Sequence, residues 1–207
     1  SDDSAITPRL ALIRDLSTRS SMRFVYGEAF RAPSAFERYY QDGPTTQKSN
    51  PDLKAEEIQT YELIYDRFIG NNKRFSASLY HFVADDLISQ RLDLDGLLLY
   101  DNIDEATATG FEFEFDNRFR CGIDSQLSYA VQRAEDGATG NRLANSPRHL
   151  GALRLAYEFT NKTKVGLEIQ GVSSRRATDG RKVGGQGLTN VTITKKLTSN
   201  PLELSFS

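Results

Sequence analysis

Between Thr107 and Phe119 the sequence reads T-A-T-G-F-E-F-E-F-D-N-R-F, and Phe111, Phe113 and Phe115 alternate strictly with Glu112, Glu114 and Asp116. A period of two is the signature of a β-strand, because only there do successive side chains point to opposite faces. One face of this strand is therefore all phenyl and the other all carboxylate. Two environments accept such a strand. In a soluble sandwich the phenyl face is the core and the carboxylate face meets water. In a membrane barrel the phenyl face meets lipid and the carboxylates line a wet lumen. The strand alone does not choose between them.

The connections choose. Period-two stretches are expected over Pro8–Asp15, Ser21–Phe30, Glu57–Phe68, Arg74–Asp86, Ser125–Ala134, His149–Phe159, Lys164–Val172 and Gly187–Leu197, besides the phenylalanine strand, with a tenth beginning in L-E-L-S-F-S. L-S-T-R-S, I-G-N-N-K, R-C-G-I-D, T-N-K-T and T-S-N-P join them in pairs as short turns. The other connections, at 31–56, 87–104, 135–148 and 173–186, are long and polar. Short joins of roughly 4 or 5 residues thus alternate with long ones of roughly 14 to 26, the pattern of outer-membrane barrels with trimmed turns at one end and loops at the other. Greek-key sandwiches mix connection lengths at both ends. Strands of about 10 residues also suit a tilted membrane span better than the 5 or 6 usual in soluble sheets. The expected fold is all-β, an antiparallel up-and-down transmembrane barrel with no helix of consequence.

Composition is compatible with this reading. Of 207 residues, 38 % are hydrophobic, and no apolar run approaches the ~20 residues of a spanning helix. With 26 basic and 28 acidic residues the net charge is −2, which implies no general affinity for nucleic acid. Cys121 is the one cysteine, so an intrachain disulfide is impossible and a turn position is its expected place. The opening S-D-D-S-A-I-T-P carries no charged segment followed by an apolar one, so the expectation for an exported protein is a mature piece or a part of a longer chain.

Five segments, taken together, resemble the TonB-dependent outer-membrane receptors, in which they follow the same order. They are Y-G-E-A-F-R-A-P-S-A-F-E from Tyr26, N-P-D-L-K-A-E-E-I-Q-T-Y-E-L-I-Y-D from Asn50, S-L-Y-H-F-V-A-D-D-L-I from Ser78, N-I-D-E-A-T-A-T-G-F-E from Asn102 and N-S-P-R-H-L-G-A-L-R-L-A-Y-E-F from Asn145. The second departs from the family's N-P-x-L-K-P-E box at Ala55, where proline is usual. The resemblance implies about ten strands of a barrel of roughly 22 with a plugged lumen. Residues 1–207 would then be part of its barrel domain, without the plug and without the closing strands. It further implies uptake of a scarce nutrient, most often a ferric siderophore, across the bacterial outer membrane. The partners it implies are outer-membrane lipid and TonB, the latter acting through a region before the plug. The resemblance implies no catalysis and no resident cofactor.

Candidate ligand contacts lie in the long connections. Arg31 opens the first, although in R-A-P-S a rim turn fixed by Pro33 explains it equally. Tyr39 and Tyr40 can stack on a ligand or donate O–H groups. The fourth connection holds Arg175, Arg176, Arg181 and Lys182 against Asp179 alone, and arginine grips oxygen-rich anions with a planar fork. Its expected role is to draw an anionic chelate to the barrel mouth, set against contact with anionic lipopolysaccharide. The acidic run Asp93, Asp95, Asp101, Asp104 and Glu105 lacks the spacing of a calcium loop and reads as solvated. His81 and His149, the only histidines, offer no metal-ligand spacing, and no G-x-S-x-G accompanies them. Ser34–Ser49 contains no histidine, which in this family disfavours haem. A passive porin or a soluble sugar- or protein-binding sandwich are the competing functions.

The alternation also assigns faces. Phe111, Phe113, Phe115, Leu127, Tyr129, Val131, Leu153, Leu155, Val165, Leu167, Val191 and Ile193 should face lipid, and Glu112, Glu114, Gln126, Arg154, Glu168 and Thr192 the lumen.

Overall fold

In a computed structural model the chain is almost wholly antiparallel β-structure. The structure describes residues 6–43, 45–103, 105–137, 139–159, 163–177, 180–196 and 203–206. Asp104 and Asp179, nearly all of the T-N-K-T turn and the whole of T-S-N-P lie outside the described residues. The first part of the chain forms β1 (Arg9–Ser17), β2 (Ser20–Arg31), the short helix α1 (Ala35–Tyr39), β3 (Glu56–Ile69) and β4 (Lys73–Asp85). Next come β5 (Leu87–Leu92), β6 (Leu98–Ile103), β7 (Ala106–Arg118), β8 (Ile123–Asp136), β9 (His149–Glu158) and β10 (Thr163–Val172). The chain finishes through β11 (Arg175–Arg176), β12 (Lys182–Val183), β13 (Gln186–Lys196) and β14 (Glu203–Phe206).

Ten of these strands make one open sheet in the order β1-β2-β3-β4-β7-β8-β9-β10-β13-β14, so each pairs with its neighbour along the chain once the loop hairpins are set aside. This is the up-and-down order expected. Two of the long connections are not plain loops. The second folds into the β5–β6 hairpin and the fourth carries the two-residue ladder β11–β12. The β5–β6 turn holds Gly96 at φ 82°, a backbone that the Asp95-Gly96 pair supports and most residues resist.

Register carries side chains of one kind across the sheet. Leu12, Phe24, Leu63, Leu79, Phe111 and Val131 stand opposite one another from β1 to β8. Phe75, Phe115, Leu127, Leu153 and Ile169 form a second such row. One residue out of phase, Arg74, Asp116, Gln126, Arg154, Glu168 and Asn190 form a polar row on the opposite face. A slip of one residue would exchange the two faces, so this register is strongly specified.

The apolar face carries no second layer: Leu12 is 59 % exposed, Leu63 41 %, Leu79 55 % and Val191 52 %. A sandwich would have covered them. On β4, Lys73 and His81 bracket Phe75, Ala77 and Leu79. Eight residues at about 3.3 Å each rise about 26 Å along a strand, or about 20 Å once the strand tilts, close to the ~25 Å apolar band of outer-membrane barrels. Among the described residues the buried apolar side chains are few and gather toward the loop end: Leu53, Ala84, Leu99, Ala106, Ala108 and Ala134.

The polar face is knitted by charge. Asp66 accepts from Arg23 at 2.7 Å and from Arg74 at 3.1 Å. Gln126 donates to Glu114, and Arg154 donates to Glu168 at 2.6 Å and to Gln126 at 3.2 Å. Higher on the same face, Tyr80 lies over Gly110, where a Cβ would come within 2.4 Å of the ring, and donates to Gln132 at 3.0 Å. Gly110 is therefore the gap in the phenylalanine strand that seats a tyrosine from its neighbour.

Candidate functional site

All four long connections leave the same end of the sheet, and the first two are locked together. At the exit of β2, Ser34 caps α1: its hydroxyl accepts from Glu37 N at 3.2 Å while Glu37 accepts from Ser34 N at 2.7 Å. This capping box satisfies two amides that a helix start leaves orphaned. Arg31 spans the base of the loop. Its Nε and Nη2 donate to the two oxygens of Glu56 at 2.7 and 2.6 Å, and Nη1 donates to Glu37 at 3.0 Å. Glu56 accepts in addition from Ile88 N at 2.8 Å. The fork of Arg31 is thus occupied by carboxylates that tie β2, α1, β3 and β5 together. Here it is a brace.

The N-P-x-L-K-x-E box is the fastener between the first two connections. Asn50 Nδ2 donates to Tyr100 O at 2.9 Å, and Lys54 N donates to Asn102 Oδ1 at 2.9 Å. Leu53, 2 % exposed, is buried at this junction. Backbone bonds from Lys48 N to Leu98 O at 2.9 Å and from Leu98 N to Thr46 O at 2.8 Å run the loop beside β6. Lys48 sits between Asp93 and Asp95, 2.8 Å from the latter. Its hydrogen bonds and charge hold both carboxyls below the usual carboxylate range, and they in turn raise Lys48. Arg91 pairs with Asp101 at 2.7 Å and with Asp93 at 3.3 Å. The acidic run is therefore not merely solvated. Its carboxylates clamp two loops.

Above this clamp lies an aromatic group. Phe36 stacks on Tyr40 with centroids 4.5 Å apart and meets the edge of Tyr100 at 6.2 Å. Tyr39, 61 % exposed, takes no part in that stack. Tyr39 and Tyr40 were legible as contacts from sequence; Phe36 and Tyr100 complete the group and were not singled out. Their convergence depends on the second connection being a hairpin, which the Asp95-Gly96 turn could have signalled.

The third and fourth connections form a separate place, set off from the first two by β7 and β8 in the sheet. Asn145 N donates to Arg176 O at 2.7 Å and joins them. Between them opens a groove of 850 Å³ whose walls include Arg133, Glu135, Arg142, Arg175, Arg176 and Lys182. Arg133 pairs with Glu135 at 2.7 Å. The structure thus brings Arg175, Arg176 and Lys182 together with two cations, Arg133 and Arg142, that the sequence did not single out. Arg181 does not line this groove; its carbonyl accepts from Ala177 N at 2.8 Å. His81, bonded to Thr109 at 2.8 Å, and Cys121, exposed in a short turn, occupy the ordinary positions expected of them.

A family model described as "TonB dependent receptor-like, beta-barrel" matches residues 1–207. No curated protein sequence matches the chain. Among solved structures, the copper transporter OprC superposes with a TM-score of 0.77 at 21 % identity, over 95 % of this chain and 32 % of OprC. The ferric enterobactin receptor PfeA of Pseudomonas aeruginosa, in a complex with enterobactin, gives 0.80 at 16 % identity over 96 % of this chain and 34 % of that one. The ferric yersiniabactin uptake receptor FyuA of Yersinia pestis gives 0.74 at 18 %, over 92 % and 29 %. The chain thus spans about a third of the length of each, and at these identities the likeness is one of fold.

Proposed function

The chain belongs to the TonB-dependent receptor β-barrel family, whose members are receptors and transporters rather than enzymes, and from this premise we propose that it forms one arc of a larger outer-membrane barrel that imports a scarce nutrient complex. The energy reaches the receptor through TonB. The nutrient is a ferric siderophore, captured at the outer rim. One observation carries this reading: the first two long connections are fastened into a fixed rim, crowned by exposed aromatic side chains, at one end of a wall with a polar inner face. A rim built in advance spares the ordering cost that a floppy loop would incur on binding.

In this reading Tyr39 and Tyr40 meet the chelate, offering a ring face and an O–H each. Arg181 supplies countercharge from the fourth connection. Arg31 positions the loop by bracing its base and does not itself touch the ligand.

The test uses the full-length receptor in cells lacking other iron receptors, with and without TonB, supplied with labelled ferric siderophores and, in parallel, with cupric ion. Accumulation of a ferric siderophore is expected only where TonB is intact. Tyr39→Ala combined with Tyr40→Ala should weaken binding about tenfold, the loss of about 1.4 kcal/mol typical of truncated aromatic contacts. Uptake that persists without TonB would replace this reading with a passive channel. Uptake of copper alone would keep the receptor and replace the substrate.

A further inference from the structure

The groove between the third and fourth connections opens on the membrane side of the wall. Strand parity gives the side. Arg133 stands opposite Thr109, which stands opposite His81, in the row next above the lipid-facing Leu79, Phe111 and Val131. Arg133 and Glu135 line the groove, whereas the intervening Ala134, 8 % exposed, belongs to the lumen-facing set and does not. The chain then folds back so that Arg142 comes opposite Glu135, on the same side. The groove's height is fixed as well. Arg133 stands in the row of His81, where the apolar band on β4 ends, so the groove opens at the upper edge of that band.

Among the described residues the charge there is largely uncompensated. Five cations, Arg133, Arg142, Arg175, Arg176 and Lys182, face one carboxylate, Glu135. Arg142, Arg175, Arg176 and Lys182 make no ion pair with any carboxylate among the described residues. Arg31, Lys48 and Arg91, on the rim of the first two connections, are each paired with a carboxylate. Guanidinium forks match phosphate oxygens two at a time, and an anionic headgroup surface concentrates such partners at this level.

We propose that this groove binds the phosphate groups of an outer-leaflet glycolipid, fastening the rim to the membrane beside the ligand path. Arg175 and Arg176, legible in the sequence as ligand-capturing residues, thereby serve the lipid side.

The full-length receptor, delipidated in non-ionic detergent, is titrated with diphosphorylated lipid A in mixed micelles, and bound lipid per barrel is counted by native mass spectrometry. One tightly held lipid is expected, bound at least tenfold more weakly by Arg133→Gln with Arg142→Gln and Lys182→Gln. Dephosphorylated lipid A should bind the unmutated receptor no better than the phosphorylated form binds that variant. Should the triple variant fail to fold, Arg175→Gln with Arg176→Gln, confined to the loop, reads the same loss. Arg→Lys exchanges at these two positions should keep most of the binding. Unchanged lipid binding in the glutamine variants overturns the proposal, as does full competition by millimolar inorganic phosphate, which would make the site one for free phosphate. Siderophore association should be unaltered in all variants. If association falls while lipid binding stands, the groove belongs to ligand capture and the lipid assignment is wrong.

Discussion

Phe113 and Glu114 are adjacent and live in different solvents. Phe113 pairs across the sheet with Ala77 and Tyr129, its ring 5.9 Å from that of Tyr129, on a face that nothing in the protein covers. Glu114 pairs with Ser76 and Ser128 and accepts from Gln126 on the polar face. Phe113 lies midway between Asn117 and Thr109, which puts it near the middle of the apolar band. Phe113→Arg should therefore cost about 2–4 kcal/mol, the charge of an arginine at bilayer mid-depth. Glu114→Gln, which keeps the shape and most hydrogen bonds in a wet lumen, should cost less than about 1 kcal/mol. Urea unfolding of the full-length barrel in liposomes reads both. Equal costs would mean that the two faces share one environment, and the lipid-facing assignment would fail.

At the scale of elements, the rim stands on ion pairs and backbone bonds between the first connection and the β5–β6 hairpin. Asp93 and Asp95, held low by Lys48, contribute to docking that is present above the ordinary aspartate value near ~4 and is lost as pH falls through their lowered folded values. Lys48, raised by the same pair, contributes below the ordinary lysine value near ~10.4 and loses that contribution as pH rises through its raised folded value. Docking should accordingly be flat from about pH 5 to 9 and loosen below about pH 4. Hydrogen-exchange protection of Lys48 N and Leu98 N, the amides that bridge the two connections, is the measurement. Because the clamp is exposed, added salt should lower that protection at neutral pH. Protection that holds from pH 7 to pH 3 and in high salt would show that the backbone bonds suffice without the clamp.

The strands of this chain were readable because each repeats one rule. Glu57–Phe68 was expected and Glu56–Ile69 is seen; Lys164–Val172 was expected and Thr163–Val172 is seen. Alternation is local, so a single strand discloses both faces. What was not readable came from convergence between connections. Leu87–Asp104 read as an open loop because its polar residues mask a six-residue pairing of Leu87–Leu92 with Leu98–Ile103. Arg133 and Arg142 drew no notice beside Arg175 and Arg176, since only the fold-back opposite Glu135 brings the two connections to one groove. Sites made from several loops are set by pairings distant in sequence, and periodicity carries no record of them.

The whole molecule raises a last question, whether these ten strands can stand alone. A barrel removes its edges by closing, which is why closed barrels survive in lipid, where an unpaired N–H or C=O costs several kcal/mol. Among the described residues the sheet is open, and β1 and β14 each lack a partner on one side. All nine residues of β1 are exposed, so its free edge is presented as a template for another chain. The apolar face adds a second liability, because exposed patches beyond a few hundred Å² drive association, and this one runs from Leu12 across to Ile193. The isolated 207-residue chain should therefore aggregate on refolding in water, and in detergent it should form mixed oligomers through its edges. Light scattering on a sizing column, with and without detergent, reads both expectations. A monodisperse water-soluble monomer that unfolds sharply would mean that the edges and the apolar face find partners within this chain. The ten strands would then be a domain in their own right, and the arc of a larger barrel would have to be given up.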